Sequence, residues 1–379
     1  MTMTKLEYEL RFVTPAFLGN AEQSAQWRTP PIKALLRQWW RVIYAADKKF
    51  QVNLADMRRE EGLLFGHAWL EDDSVERDGR RVTTAARKSL VRLRLDRWAE
   101  GVLKNNQWPS DEPVVHPEVK NRQGQAIRVG SALYQGFGPL VYDRVRGATT
   151  LKANAAIQAG ESVALAIAWP TRHNDLVLQG VLDANNAGHR LERALGLMNR
   201  FGTLGGRSRN GWGSFALTPQ GDSVPFAADL PLRPWRDCLD RDWPHAIGRD
   251  DQGALIWQTA PHADWKALMK TLAMVKIGLR TQFVFTTGRN APDPESRHWL
   301  SYPVTNHSVQ AWGGNARLPN SLRFKVRVLP DGKLAGAIFH VPCLPPPAFR
   351  PDGKAVENVW QQVYGFLDAP QQQLKRSPA

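Results

Sequence analysis

The hydrophobic residues of the first 217 positions change period repeatedly, and this change constrains the fold more than any other feature. In residues 5–13 polar and apolar side chains alternate, which is the two-residue period of a half-buried strand. Residues 29–46 instead carry apolar side chains at the spacing of one helix face. Those side chains are Ile32, Leu35, Leu36, Trp39 and Ile43. The chain is therefore predicted to begin with a strand followed by an amphipathic helix.

Further segments complete a recurring order of elements. Strands are predicted at residues 88–97, 162–169 and 212–217, and residues 176–201 are predicted to be mostly helical with a break near Asn185. Strand, helix, strand, strand, helix, strand is the βαββαβ plan of a ferredoxin-like domain. Long insertions interrupt it on both sides of the second strand. One of them, residues 101–130, is rich in Pro, Asn and Gly and is predicted to be an irregular loop.

The second half of the chain carries a weaker version of the same pattern. Proline and aspartate accumulate over residues 218–250, which predicts a first domain of residues 1–225 and a second of residues 226–379. Its predicted elements are a helix at 262–280, strands at 282–286, 321–329 and 335–341, and a helix at 354–367. The predicted fold class is α+β, with two ferredoxin-like (RRM-like) βαββαβ domains that carry long insertions, the second degenerate. The C-terminal QQQLKRSPA is predicted to be disordered.

Charge and cysteine content restrict the possible functions. The chain has 50 Lys and Arg against 36 Asp and Glu, a formal net charge of +14, which favours polyanions as partners. Two cysteines cannot form a disulfide framework or a four-ligand zinc site, and no histidine pair has HxxxH or HExxH spacing. We therefore expect no metal and no cofactor. No signal-like or membrane-spanning stretch is evident, so a cytoplasmic protein is expected.

The segment of residues 202–213, here called the glycine loop, holds five glycines and two arginines before the last strand of the first domain. Glycines allow positive φ and close backbone approach, so that backbone N–H groups and arginines can face an anion. The loop is neither a nucleotide P-loop nor a Rossmann loop, because no Gly-Lys-Ser/Thr follows and it enters a strand. The simpler alternative is a flexible connector with solvated arginines.

The first helix carries a second candidate surface. Its cations are predicted to pair with phosphates while Trp40 stacks on a base; the alternative is a solvated face with the tryptophan packed under a loop. The RNA-binding candidates from the helix, the glycine loop and two further turns are Arg28, Lys33, Arg37, Trp40, Arg41, Arg144, Arg146, Arg207, Ser208, Arg209, Asn210 and Arg289. Asp143, beside Arg144, could act as a general base on a 2′-hydroxyl, although a salt bridge is the more frequent arrangement.

Four stretches of the sequence resemble one family. They are the glycine loop, residues 12–19 (FVTPAFLG), residues 28–41 (RTPPIKALLRQWWR) and residues 134–138 (YQGFG). The glycine loop resembles that of the RAMP superfamily of CRISPR RNA-binding proteins, and the four together resemble its first subunit of the type III-B Cmr effector complex. The resemblance covers mainly residues 5–217. Ala34 and Asn20 stand where that family commonly has glycine, and Gln38 where it often has tryptophan.

The resemblance implies a non-catalytic subunit that holds the 3′ portion of a CRISPR RNA guide in antiviral defence. Its partners would be the guide, target RNA and other RAMP subunits of the Cmr complex. Two alternatives stay open. A metal-independent endoribonuclease of the same superfamily would process CRISPR precursor RNA with a positioned His, Tyr or Lys, and neither the first helix nor the glycine loop contains His. A structural interaction protein would use its basic charge only to balance acidic partners.

Overall fold

The computed structural model describes residues 2–68, 74–77, 80–83, 86–223 and 229–377. Its helices are α1 (Thr29–Asp47), α2 (Leu54–Phe65), α3 (Ser131–Gly136), α4 (Leu176–Ala187), α5 (Arg190–Phe201), α6 (Trp265–Thr281) and α7 (Gly353–Asp368). Its strands are β1 (Met3–Phe12), β2 (Ser74–Arg77), β3 (Arg80–Thr83), β4 (Arg92–Leu95), β5 (Leu103–Lys104), β6 (Pro113–Lys120), β7 (Ala126–Gly130), β8 (Leu140–Asp143), β9 (Ala148–Leu151), β10 (Ala155–Ala156), β11 (Ser162–Pro170), β12 (Phe215–Gln220), β13 (Leu232–Pro234), β14 (Ile247–Asp250), β15 (Gly253–Ala254), β16 (Ile256–Gln258), β17 (Asn290–Ala291), β18 (Ser308–Val309), β19 (Leu322–Val328), β20 (Leu334–His340) and β21 (Lys375–Arg376). The fold is α+β.

The first half is built on an antiparallel sheet with the strand order β12-β1-β11-β4. Along the chain its strands alternate with helices as β1, α1, β4, β11, α5, β12. The alternating apolar side chains of β1 are buried, because that face packs on the helices. The predicted break in the helical segment of residues 176–201 is confirmed, since α4 ends before Gly188 and α5 begins after His189, which has a φ of +46°.

The second half repeats this succession. Its sheet has the order β19-β20-β16-β21, and the chain passes through β16, α6, β19, β20, α7 and β21. The prediction of a strand at residues 282–286 was wrong, because no strand forms there: Phe283 is buried and Phe285 stacks on His307 with ring centroids 3.8 Å apart. The predicted domain boundary at 225–226 lies outside the described residues.

Two segments predicted to lack regular structure contain strands. Residues 101–130 include the antiparallel hairpin of β6 and β7. Most side chains of this hairpin are exposed, so its sequence lacks the two-residue hydrophobic period of a half-buried strand. In the C-terminal segment, β21 pairs with β16, and Arg376 forms ion pairs at 2.8 Å with both Asp250 and Asp368. The prediction of a disordered C-terminal segment was therefore wrong at residues 375–376, which form a strand. Residues 378–379 lie outside the described part of the chain.

The two sheets share their packing. Phe339 of β20 contacts Phe201 of α5 with ring centroids 4.8 Å apart and lies 6.5 Å from Trp39 of α1. On β19 the polar face is also buried: Lys325 donates to the carbonyls of Asn199 and Gly202 at 2.5 and 2.8 Å. The Lys325 amino group thus donates to carbonyls that the end of α5 leaves without helical partners, and its burial lowers its pKa well below the usual value.

No helix in the described part of the chain is long and apolar enough to cross a bilayer.

Candidate functional site

The glycine loop lies between α5 and β12 and packs closely on the segment after β1. Gly206 N donates to the Phe17 carbonyl at 2.9 Å, and the Thr14 hydroxyl donates to the Gly211 carbonyl at 2.8 Å. A Cβ on Gly205, whose φ is +94°, would lie 2.6 Å from the Phe17 carbonyl oxygen. The glycine is therefore needed for both its backbone conformation and this close approach.

A second side of the glycine loop contacts α3, which includes the first three residues of the residue 134–138 motif. Asp111 caps this helix by accepting from Ala132 N at 2.7 Å and Leu133 N at 2.9 Å. The Asn210 side chain donates to the Gln135 carbonyl at 2.7 Å. Arg207 Nε donates to the Phe137 carbonyl at 2.6 Å from a left-handed backbone with φ +54°. The loop is therefore anchored, not a free connector.

A third side of the loop joins β19. Phe324 N donates to the Arg209 carbonyl at 3.0 Å, and Val326 N donates to the Ser214 hydroxyl at 2.8 Å. The loop thus lies between the two sheets. Three stretches that are far apart in the sequence, the segment after β1, the residue 134–138 motif and the glycine loop, meet at this place.

The side chain of Arg209 lies beside Arg323 of β19, and the two are called here the Arg209–Arg323 pair. Burial, then the charge of Arg209, lowers the pKa of Arg323 to about 9, which leaves it charged at neutral pH. The Gln38 side-chain amide lies 2.7 Å from both terminal nitrogens of Arg323, and its oxygen accepts from them when the amide is turned to face the guanidinium. Within the described part of the chain, the Arg209 side chain has no hydrogen-bond or ion-pair partner.

Arg207, only two residues away, contacts a different set of groups. Its carbonyl-held guanidinium lies near Lys276 and Arg280 of α6, whose pKa values it helps to lower. The sequence offered no signal for Lys276, Arg280 or Arg323, because their approach to the glycine loop depends on contacts between distant segments.

The basic face of α1 is largely covered by α2. Lys33 Nζ donates to the Phe65 carbonyl at 2.8 Å, and burial, then the charge of Arg37, lowers the Lys33 pKa. Arg37 and Arg41 both bond at 2.8 Å to the carboxylate of Glu61, which is only 5% exposed. The Glu61 carboxylate therefore competes with the phosphates that these two arginines were predicted to bind. These three cations bind groups of α2, whereas Arg207 and Arg209 make their contacts with Phe137 and Phe324.

The structure corrects the base-stacking role predicted for Trp40. Its side chain is 0% exposed, and its Nε1 donates to the Asn185 amide oxygen at 2.6 Å. Its ring packs against Tyr44 and Phe65, with centroid distances of 5.2 and 5.9 Å. Trp40 therefore belongs to the core. Hydrophobic periodicity alone predicts an open helix face at this position, but α4 and α2 cover that face.

The remaining candidates are dispersed. Arg28 is the N-cap of α1, and its buried Nε has no partner among the described groups. Ser208 is half-buried in the glycine loop, where its carbonyl accepts from Gly211 N at 3.1 Å. Arg144 and Arg146 are exposed in the turn between β8 and β9.

Two acidic or basic candidates have structural contacts of their own. Asp143 lies 3.5 Å from Arg146 in an ion pair, the alternative to a general base. Arg289 is exposed, and its carbonyl accepts from Ser308 N at 2.9 Å. Across the described ranges, no group of three or more His, Cys, Asp or Glu side chains is placed to hold a metal ion.

The sequence matches no protein-family model and no curated protein. Among solved structures, the crystal structure of apo Cmr1 from Pyrococcus furiosus aligns with 90% of this chain and 88% of its own, at 13% identity and a TM-score of 0.39. A cryo-EM structure of the type III-B Cmr-beta bound to cognate target RNA contains a chain aligned over 96% of this one and 99% of its own, at 11% identity and a TM-score of 0.44. A chain of a type IV-B CRISPR complex aligns with 61% of this chain and 95% of its own, at 11% identity and a TM-score of 0.28. These similarities are remote.

Proposed function

We propose that this chain is a non-catalytic RNA-binding subunit of a type III-B CRISPR effector complex, where it holds the 3′ portion of the guide RNA. In this proposal each sheet with its two helices is a ferredoxin-like domain, and the glycine loop between them is the main RNA contact. The neighbours would be other RAMP subunits. The family assignment rests on the four sequence stretches described above, three of which meet at the loop.

The observation that carries the RNA-binding role is the unpartnered side chain of Arg209 next to the buried charge of Arg323. Two guanidinium groups without a nearby carboxylate partner repel each other, and a phosphate between or beside them relieves that repulsion. Arg209 is half-buried and can reach a ligand, whereas Arg323 is 8% exposed and strengthens the positive field from behind. Arg209 is therefore the contact residue and Arg323 a positioning residue.

The same geometry favours backbone binding over base recognition. The loop presents arginines from a backbone anchored at Phe17, Gln135 and Phe324, and such preorganised cations suit phosphates, which carry no sequence information. A subunit that holds the guide by its phosphates leaves the guide bases free to pair with a target. This is what a scaffold role requires.

The test is guide retention by the assembled complex carrying Arg209→Ala. We expect retention to weaken roughly ten-fold, since hydrogen bonds to charged groups contribute about 1.5–3 kcal/mol. The slope of log affinity against log salt should fall by about one. Arg122→Ala, which removes an exposed arginine from the β6–β7 turn, is the matched control. Equal retention by the two variants would refute the interface.

The endoribonuclease alternative has one structural observation in its favour. The rings of His116 and Tyr134 lie 5.4 Å apart near Lys276, which supplies side chains of the types that such enzymes use. His116, however, is buried, and burial lowers its pKa. Incubation of the purified chain with repeat RNA and EDTA distinguishes the two functions. Defined products that disappear in Tyr134→Phe would favour the enzyme, and intact RNA is expected from the scaffold.

A further inference from the structure

A group of cations on α6 faces the motif at residues 134–138. Lys276 and Arg280 are four residues apart, and both are half-buried on the same side of the helix. Lys276 Nζ lies 5.6 Å from the centre of the Tyr134 ring. Arg280 Nη1 donates to the Ser301 hydroxyl at 3.0 Å. Two positive groups of one helix are thus held beside the same aromatic side chain.

The glycine loop adds Arg207 to this group, here called the α6 cluster (Arg207, Lys276 and Arg280). The bond from Arg207 Nε to the Phe137 carbonyl fixes the guanidinium, and its terminal nitrogens extend past Gly138. A Cβ on Gly138, whose φ is +115°, would lie 3.5 Å from Arg207 Nη2. The positive φ favours glycine here, and the guanidinium lies within van der Waals distance of this position.

The α6 cluster has no ion pair with an acid in the described part of the chain, although the charge of Glu118 acts on Arg280 from a distance. Arg297 lies close by but is paired at 2.5 Å with Glu118. In the described part of the chain no carboxylate forms an ion pair with Arg207, Lys276 or Arg280, and Lys276 Nζ has no hydrogen-bond acceptor. Burial, then the charges of Arg280 and Arg207, lowers the pKa of Lys276 well below its usual value. Such a cluster gains stability from an anion placed among its three cations.

We propose that the α6 cluster binds a backbone phosphate of single-stranded RNA, with Phe137 as the stacking platform for an adjoining base. This inference deepens the proposed function and rests on it. Two guanidinium groups and an ammonium group match the charge and hydrogen-bonding capacity of a phosphate. The Phe137 side chain is 63% exposed, and the backbone carbonyl of the same residue accepts the hydrogen bond from Arg207. An exposed ring beside unpaired cations is the combination that single-strand binders use, because every base presents a flat face.

RNA is favoured over a free phosphate ion because of this exposed ring. An inorganic ion uses the three cations and gains nothing from Phe137, whereas a nucleotide strand uses both. The α6 cluster and the Arg209–Arg323 pair each include one arginine of the glycine loop, and these two arginines are two residues apart. A strand that crosses the loop at these residues would contact both groups.

The experiment uses the full-length chain and a labelled single-stranded RNA carrying the CRISPR repeat. We expect Lys276→Met to weaken binding roughly ten-fold, a loss typical of a charged hydrogen bond, and Lys276→Arg to bind like the wild type. Phe137→Ala should also weaken binding. Lys266→Met, which removes an exposed lysine from the same helix, is the matched control. Thermal unfolding in each case verifies folding.

A second variant covers the possibility that Lys276→Met fails to fold. Arg207→Gly removes the guanidinium and suits the left-handed backbone at φ +54°. It should produce the same loss of RNA affinity. Wild-type affinity in folded Lys276→Met or in Arg207→Gly overturns the inference.

A third arm uses inorganic phosphate as the probe. At matched ionic strength it should raise the melting temperature of the wild type and of Lys276→Arg, but not that of Lys276→Met. Stabilisation by phosphate with unchanged RNA affinity in Lys276→Met would overturn the RNA assignment. If Arg209→Ala weakens RNA binding and Lys276→Met does not, the proposed function stands and this inference fails. If Lys276→Met alone weakens it, the Arg209 interface fails and the α6 cluster stands.

Discussion

The side-chain amide of Asn210 donates to the backbone carbonyl of Gln135 across 75 residues of chain, at 2.7 Å. This bond ties the glycine loop to α3, and a second bond from Arg207 to the Phe137 carbonyl lies two residues further along α3's exit. The loop is held in one conformation by these contacts even though it is rich in glycine. A fixed loop can present its arginines without ordering them anew when a ligand binds.

Replacement of Asn210 by Ala removes the donor to Gln135. We expect the free energy of unfolding to fall by about 1–2 kcal/mol, because a part-buried carbonyl then lacks its partner. RNA affinity should also fall, since Arg207 and Arg209 directly precede the loosened residue in the same loop. Urea unfolding and RNA titration measure the two effects. Asn106→Ala, at an exposed position, is the control, and equal stability of the two variants would contradict the anchoring role.

Lys325 should be essential to the packing of β19 on α5. It is 1% exposed and donates to two carbonyls, so that Lys325→Met leaves both acceptors buried without a donor. We expect a loss of about 2–4 kcal/mol in the free energy of unfolding. Denaturant unfolding measures this loss. Lys333→Met, at an exposed lysine, should have almost no effect on the free energy of unfolding. A comparable loss in this variant would contradict a specific role for the bonds from Lys325 to the two carbonyls.

Arg376 is expected to hold the C-terminal strand in place. Its guanidinium bridges Asp250 and Asp368 and lies 4.7 Å from the centre of the Trp257 ring. Arg376→Ala should lower the free energy of unfolding by roughly 1–3 kcal/mol and change the tryptophan fluorescence, because two carboxylates lose their partner. Lys375→Ala, at the exposed neighbour, is the control. Identical unfolding curves for both variants would mean that β21 does not need the bridge.

Glu295 predicts an acid-dependent part of the stability. Desolvation raises its pKa, but hydrogen bonds from the hydroxyl and backbone groups of Thr287 and Thr286 outweigh this and lower it to about 2. The folded pKa is below the unfolded value of about 4.3, so the stabilisation is complete above that value and is lost as the pH falls toward 2. The melting-temperature difference between wild type and Glu295→Gln should therefore shrink between pH 5 and about pH 2.

The control for this titration is Asp293→Asn, at an exposed carboxyl two residues away. This variant removes one carboxyl but keeps the bonds of Thr286 and Thr287 to Glu295. A Glu295→Gln difference that stays constant over the same pH range would show that the Thr286 and Thr287 bonds do not prefer the ionised carboxylate.

Glu61 controls the charge that α1 presents to solvent. Glu61→Gln should free Arg37 and Arg41, which now share its carboxylate, and so strengthen non-specific RNA binding in low salt. The free energy of unfolding should fall by only about 1–2 kcal/mol. The loss is small because both arginines keep access to water after the carboxylate is removed. Filter binding with random RNA measures the affinity. Glu357→Gln, at a half-buried glutamate of α7 that pairs with a single arginine, is the control. Unchanged RNA binding by Glu61→Gln would leave the α1 face without a polyanion role.

Hydrophobic periodicity predicted the main elements of the fold correctly where one face of an element is buried. The positions of β1 and α1 follow directly from their apolar stripes, and the same holds for β11, β19 and α7. It failed where the structure is held by polar or exposed residues. The β6–β7 hairpin exposes Val115, and β21 depends on the ion pairs of Arg376, so neither has an apolar pattern to detect.

In the candidate site, too, some features could be predicted from the sequence and others could not. The residue types, their positive charge and the glycines that permit the loop's backbone are properties of the sequence alone. The partners of each cation were decided by tertiary structure: Arg37 meets Glu61, whereas Arg209 meets Arg323 and Arg207 lies near Lys276. Electrostatic energy depends on distance and burial, and both are set only when segments that are distant in the sequence pack together.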